Sequence, residues 1–151
     1  WAADRLMARG LSPINSRKYP MAAALLGTAI FTVFAAESSS NTVAVVCISI
    51  SLFLIYISTS CAWATAPVAA PANCTASIGS MQNFGGYFGG ALAPMVTGFI
   101  VQSSGSFAPA LLVGAAVAVA AALVYIALVR DPIPLPAEAA SLRAGGGAYA
   151  D

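Results

Sequence analysis

The chain has 151 residues, of which 60% are hydrophobic and 7% charged, with a formal net charge of +1. Soluble domains usually carry about 25% charged residues, so this composition excludes an ordinary water-facing surface. Near-neutral charge without a basic stripe also excludes phosphate-backbone recognition, and nucleic acid is not an expected partner.

The charges are unevenly placed. From Ser38 to Val129 the sequence holds no Asp, Glu, Lys, Arg or His. One membrane span needs roughly 20 apolar residues, so this uncharged run is long enough for several crossings. The expected fold class is all-α, a membrane helical bundle of four transmembrane helices in contact with the lipid bilayer.

Residues 1–19 read as a polar loop, with Asp4, Arg5, Arg9, Arg17 and Lys18 beside the turn formers Gly10, Pro13 and Asn15. There is no initiator Met and no signal peptide, and the chain is expected to be incomplete at this end. The first span is predicted over residues 20–36, with Pro20 in its first turn. A short polar connection follows, and the second span covers 42–66. Pro67, Pro71 and Asn73 then mark a loop, because proline stops a helix and restricts the residue before it. The third span covers 77–101 and the fourth 107–129. Residues 130–151, with Pro132, Pro134, Pro136 and a Gly145-Gly146-Gly147 run, read as a disordered tail.

Four spans place both chain ends on one side of the membrane. All six Lys and Arg residues lie in the opening loop or at Arg130 and Arg143, while the other side carries only Glu37. The positive-inside rule therefore expects both ends in the cytoplasm.

The third span is the most readable. At 100° per residue, Gly79, Asn83, Gly86, Gly90, Pro94 and Thr97 fall within a stripe of roughly 80°. Met81, Phe84, Phe88, Leu92, Met95 and Phe99 fall opposite and suit lipid. Gly79, Gly86 and Gly90 suit close approach of another helix, or a cavity, and Pro94 should bend the span. Asn83 is different, since a carboxamide in hydrocarbon is costly without partners. It meets either a neighbouring helix or a polar ligand. On the second span Ser49, Tyr56, Thr59, Ser60 and Trp63 cluster within about 100°. Trp63 suits either this polar face or the interfacial aromatic belt.

No enzyme is expected. His is absent, the spans contain no carboxylate, and no nucleophile has a base in its neighbourhood. Neither cofactor nor metal is expected. Cys47, Cys61 and Cys74 have no short metal spacing, and an odd count in apolar sequence argues against a disulfide framework.

These residues resemble a known family. The order loop, four spans, tail is similar to the last third of the major facilitator superfamily. Ala3-Asp4-Arg5-Leu6 with Arg9 resembles the cytoplasmic loop motif between its eighth and ninth helices. Cys61-Ala62-Trp63, Gly79-Ser80-Met81-Gln82-Asn83-Phe84-Gly85-Gly86, Ala93-Pro94-Met95-Val96-Thr97-Gly98 and Gly105-Ser106-Phe107 resemble the anion:cation symporter group, which includes bacterial sugar-acid carriers. That likeness implies that Trp63, Asn83 and Ser60 face a central substrate cavity, with Gln82 beside Asn83. Tyr56, read from its helix face, joins the candidate set. Many members carry an acidic residue in the loop between the tenth and eleventh helices, where this chain has Val68. The resemblance further implies alternating access, a small organic anion and a proton as partners, and a place in the bacterial inner membrane. It also implies missing N-terminal helices of the same protein that supply the charged coupling residues.

The alternative from another class is a complete four-helix membrane anchor. A haem-binding anchor needs His ligands and a small cation exporter needs a membrane carboxylate. A purely structural anchor needs neither.

Overall fold

The computed structural model describes residues 2–71 and 74–130. Among them are five helices: α1 Ala2–Ala8, α2 Asn15–Glu37, α3 Asn41–Ala69, α4 Thr75–Ser104 and α5 Ala108–Leu128. Helices α2 to α5 are each long and apolar enough to cross a membrane. The shortest of these, α5, has 21 residues and reaches about 31 Å at 1.5 Å per residue. That matches a hydrocarbon core of about 30 Å. Helices α3 and α4, with 29 and 30 residues, exceed it, so tilt or extension into the headgroups accommodates them. The protein is an all-α integral membrane bundle.

Helix α2 is the centre of the bundle, packed against α3 on one side and α5 on the other. Small residues make both approaches possible. A Cβ added to Gly27 would stand 2.9 Å from Leu54 Cδ1, so a larger residue there would force the Leu54 side chain to shift. Toward α5, Ala29 packs with Ala115 and Ala118. Nearer the opening of α2, Met21, Leu25 and Ala122 form a second cluster, with Cys61, Ala62 and Tyr125 against it.

A set of hydroxyls links α2 to α3. Thr32 Oγ1 donates to Ser51 Oγ at 3.2 Å, and Ser51 Oγ donates to the Thr28 carbonyl at 3.3 Å. Thr28 Oγ1 donates to the Ala24 carbonyl at 2.9 Å. Interhelical bonds of this kind contribute about 0.6 kcal/mol each on average, so the small-residue packing dominates.

Helix α4 is arranged differently. It touches the edges of α3 and α5, and none of its residues is buried. Its bulky face, Met81, Phe84, Phe88, Leu92, Met95 and Phe99, is exposed and suited to lipid.

The helix limits depart from the expected ones in three places. The opening segment is not a loop throughout, because α1 occupies Ala2–Ala8 and α2 begins at Asn15. Ser12 starts α2 early: its Oγ accepts the Asn15 N–H at 3.2 Å and its carbonyl accepts the Ser16 N–H at 2.9 Å. Pro20 consequently stands beyond the first turn, inside α2. Pro67 does not stop α3, which continues to Ala69. Proline forfeits only the bond to the carbonyl four residues back, here Trp63, and Ala70 N–H still closes the helix on Ala66 at 3.0 Å. The expected tail from residue 131 lies outside the described residues.

The ends are closed by specific contacts. Gly105 adopts the left-handed conformation, φ +69°, and its N–H caps α4 on the Val101 carbonyl at 2.9 Å. Lys18 is buried at 7% exposure, and its ammonium donates to the Val129 carbonyl at 2.9 Å. Arg130 Nε donates to Ala127 at 3.0 Å. Two cations thus meet the negative end of the α5 dipole.

Candidate functional site

The four spans border an open cavity of about 470 Å³. Its polar wall is Ser58, Thr59 and Trp63 from α3 with Gln82, Asn83 and Tyr87 from α4. Its apolar floor includes Met21 and Leu25 of α2 and Ala121 of α5. Small-solute sites typically occupy about 300–1,000 Å³.

The local structure explains which groups are available. Hydroxyls in membrane helices commonly bond to the carbonyl one turn back. Ser49, Thr59, Ser60 and Thr65 of α3 do so, at 2.8, 2.9, 2.9 and 2.7 Å. Ser51 is used between helices. Ser58 is the exception on this wall. It is 5% exposed, and among the described residues its hydroxyl makes no hydrogen bond. The Trp63 indole N–H and the Gln82 and Asn83 carboxamides also make none among the described residues. The cavity therefore presents several unspent neutral donors and acceptors, and no lining group carries a charge.

The candidate residues divide. Trp63, Gln82 and Asn83 come together on the cavity wall. Tyr56 and Ser60 do not line it; Tyr56 is 71% exposed, and the Ser60 hydroxyl is bonded to the Tyr56 carbonyl. Gly86 lines the cavity and Gly79 a neighbouring crevice, lined also by Trp63 and Asn83. A Cβ at Gly79, Gly86 or Gly90 would meet nothing within 4 Å among the described residues. The helix expected against this stripe is not supplied by them, and Pro94 is exposed too. Ser58 and Tyr87 are absent from the residues that the sequence singles out. Tyr87 lies one turn beyond Asn83 and is readable as its neighbour on the wheel. Ser58 sits on the opposite side of α3 from the polar cluster, and nothing in its neighbours marks it. Asp4 and Arg5 lie on α1 and Arg9 in the turn after it, away from the cavity lining.

Four apolar spans thus border an open cavity to which Ser58, Thr59, Trp63, Gln82, Asn83 and Tyr87 contribute polar, uncharged groups. The sequence is similar to those of several characterised proteins. The chain is 38% identical over 136 residues to a probable L-galactonate transporter of Escherichia coli strain K12, covering 90% of this chain and 30% of that protein. It is 32% identical over 122 residues to a hexuronate transporter of Bacillus subtilis strain 168, covering 81% of this chain and 29% of the relative. A D-galactonate transporter of Escherichia coli O6:H1 is 34% identical over 131 residues, 87% of this chain and 30% of that protein. No family model matches, and no solved structure matches. Over most of its own length the chain is similar to these transporters, homologues of the major facilitator superfamily, and it spans about 30% of the length of the relatives it matches.

Proposed function

We propose that this chain forms the last four spans of a proton-coupled symporter for small organic anions of the sugar-acid class, working by alternating access in the bacterial inner membrane with both ends of the chain cytoplasmic. One observation carries the reading. Ser58, Trp63, Gln82 and Asn83 present hydrogen-bonding groups, unspent among the described residues, to a single cavity from α3 and α4, which hold no charged residue. Ser58 is buried, whereas Trp63 and Asn83 are exposed and Gln82 half-buried, so these last three are open to water or to a polyhydroxylated solute. Neutral amides, an indole N–H and a hydroxyl complement sugar hydroxyls, each of which both donates and accepts. A carboxylate is matched best by a cation, and no lining group carries a charge. The carboxylate and the proton are accordingly held by other spans of the full-length carrier, on residues that can carry charge.

The names of the three relatives favour galactonate or a hexuronate as substrate. The test is uptake of a panel of labelled sugar acids, aromatic acids and dicarboxylates by vesicles carrying the full-length protein, with and without an imposed pH gradient. Sugar-acid uptake that rises with an inward proton gradient is the expected result. Uptake of none of the panel, or uptake indifferent to the gradient, overturns the substrate or the coupling assignment respectively.

A further inference from the structure

The end of α5 carries more positive charge than its dipole calls for. Lys18 Nζ donates to the Val129 carbonyl at 2.9 Å and Arg130 Nε to the Ala127 carbonyl at 3.0 Å. Both acceptors belong to the same helix end, so two cations converge on it. The C-terminal dipole of a helix offers about half an elementary charge, which leaves this spot positive by about 1.5 charges. Among the described residues no carboxylate offsets it. Asp4 lies on α1 and Glu37 closes the far end of α2, and neither pairs with Lys18 or Arg130.

Donors are left over as well. An ammonium has three and a guanidinium five, and one of each is used among the described residues. Lys18 is buried, so its charge is shielded from bulk water and acts more strongly, whereas Arg130 is exposed. Arg130 is therefore the accessible ligand and Lys18 a fixed charge beside it. Arg17 takes no part, because its Nη1 turns toward the Pro13 carbonyl at 2.7 Å and Met7 of α1.

The surroundings select what the cations meet. Lys18 Nζ stands 5.8 Å from the centre of the Tyr19 ring, and Tyr19 is exposed, as amphipathic aromatics of the headgroup zone are. From Tyr19 an exposed stripe runs along α2 through Leu26 and Ile30. On α5 a matching stripe comprises Leu112, Val119 and Ile126, and Arg130 follows four residues on, in line with it. Ile30, Leu112 and Val119 border a groove of about 440 Å³ between the two helices, with Ala29 and Ala115 also in its lining. Ala29 comes eleven residues after Lys18, about 16 Å along the helix. Half of a bilayer core is about 15 Å, so an acyl chain anchored at the cations reaches the groove.

We infer that the outer seam between α2 and α5 holds an anionic phospholipid, with its phosphate on Arg130 and Lys18 and an acyl chain along the two stripes. Charge-assisted hydrogen bonds to phosphate are of the strong kind, and a guanidinium meets its oxygens with paired donors. Basic pockets between spans suit such headgroups. None of these residues lines the cavity, and the inference stands apart from the transporter reading.

The experiment uses the full-length protein, delipidated in detergent and titrated with phosphatidylglycerol, phosphatidylcholine or glycerol phosphate. Native mass spectrometry reads lipid retention and a melting curve reads stabilisation. Phosphatidylglycerol should be retained at least about tenfold more tightly than zwitterionic phosphatidylcholine, and Arg130→Gln should weaken it about fivefold, the share of one cation near an anionic headgroup. Lys18→Met should weaken it too, but Lys18 also closes α5, so the exposed Arg130 is the deciding position. Arg9→Gln should leave retention unchanged. Equal retention of the two lipids, or retention indifferent to Arg130→Gln, overturns the inference. An equal loss in Arg9→Gln would reveal diffuse surface charge in place of a site, and stabilisation by glycerol phosphate equal to that by phosphatidylglycerol would reveal a site for free phosphate. Either result overturns it as well.

Discussion

Asn83 and Trp63 illustrate how much a single side chain can decide in a membrane. Both present their polar groups to the cavity without a partner among the described residues, so removing them deletes solute contacts more than protein contacts. Asn83→Ala is expected to reduce sugar-acid uptake by at least about tenfold while membrane protein level falls less than about twofold, the equivalent of losing one well-made hydrogen bond to a substrate hydroxyl. Immunoblotting beside uptake separates the two, and equal losses would assign Asn83 to packing. Trp63→Phe keeps an aromatic ring and loses the N–H, so it should retain part of the activity that Trp63→Ala loses. Gly27 makes the opposite case. A Cβ there would stand only 2.9 Å from Leu54 Cδ1, so Gly27→Val should destabilise the bundle by about 1–3 kcal/mol through overpacking, visible as a lower melting temperature in detergent. Gly86→Leu has free space around it but lines the cavity. It should express normally and fail to transport, whereas the glycine stripe alone points to a folding defect.

At the scale of the helix, the spans are legible in the sequence and the faces only partly so. The long uncharged run leaves no interpretation other than repeated crossings, and four helices result. Their limits shift where local chemistry overrides the rule of thumb. Ser12 nucleates α2 ahead of Pro20, and α3 continues past Pro67 because losing one carbonyl bond does not end a helix. The polar side of α3 is harder to read. Its polar cluster centres on Tyr56, Ser60 and Trp63, yet only Trp63 of these reaches the cavity. Side-chain polarity in a sequence does not reveal where a hydroxyl spends its proton, and Ser49, Thr59 and Ser60 spend theirs on their own backbone. Ser58, whose hydroxyl remains unspent, lies among Ile57, Ile55 and Ala62 and carries no sequence signature. On α4 the separation of small and bulky faces carries over directly, since nothing bends the wheel between Gly79 and Tyr87. The end of α5 offers a test at this scale. Lys18→Met removes the cation that meets the Val129 carbonyl, and it should cost about 1–2 kcal/mol, read as faster amide exchange in the last turn of α5 with α3 unaffected.

For the molecule as a whole, topology is the prediction with the widest reach. On the proposed reading, four crossings and the placement of Lys and Arg would put both ends of the chain on the cytoplasmic side. Reporter fusions at the two ends of the expressed chain should report the same compartment, and opposite compartments would require an odd number of crossings. The exposed stripe of α4 belongs to the same scale. Its small and polar face borders a cavity and a crevice among the described residues, and the relatives are about three times longer than this chain.

The ammonium of Lys18 on the last carbonyl of α5 has a mechanical meaning as well. It joins the first turns of α2 to the close of α5 at one membrane surface, while glycine and alanine seat the same α2 tightly against both neighbours. Stiffness is therefore distributed unequally among the described residues: three helices form a slab that resists shear, and the fourth touches only its edges and turns into α5 at Gly105. When such an assembly is driven through a cycle, displacement concentrates in the compliant member. Helix α4, which carries Gln82, Asn83 and Tyr87, would then be the part whose motion a solute feels first.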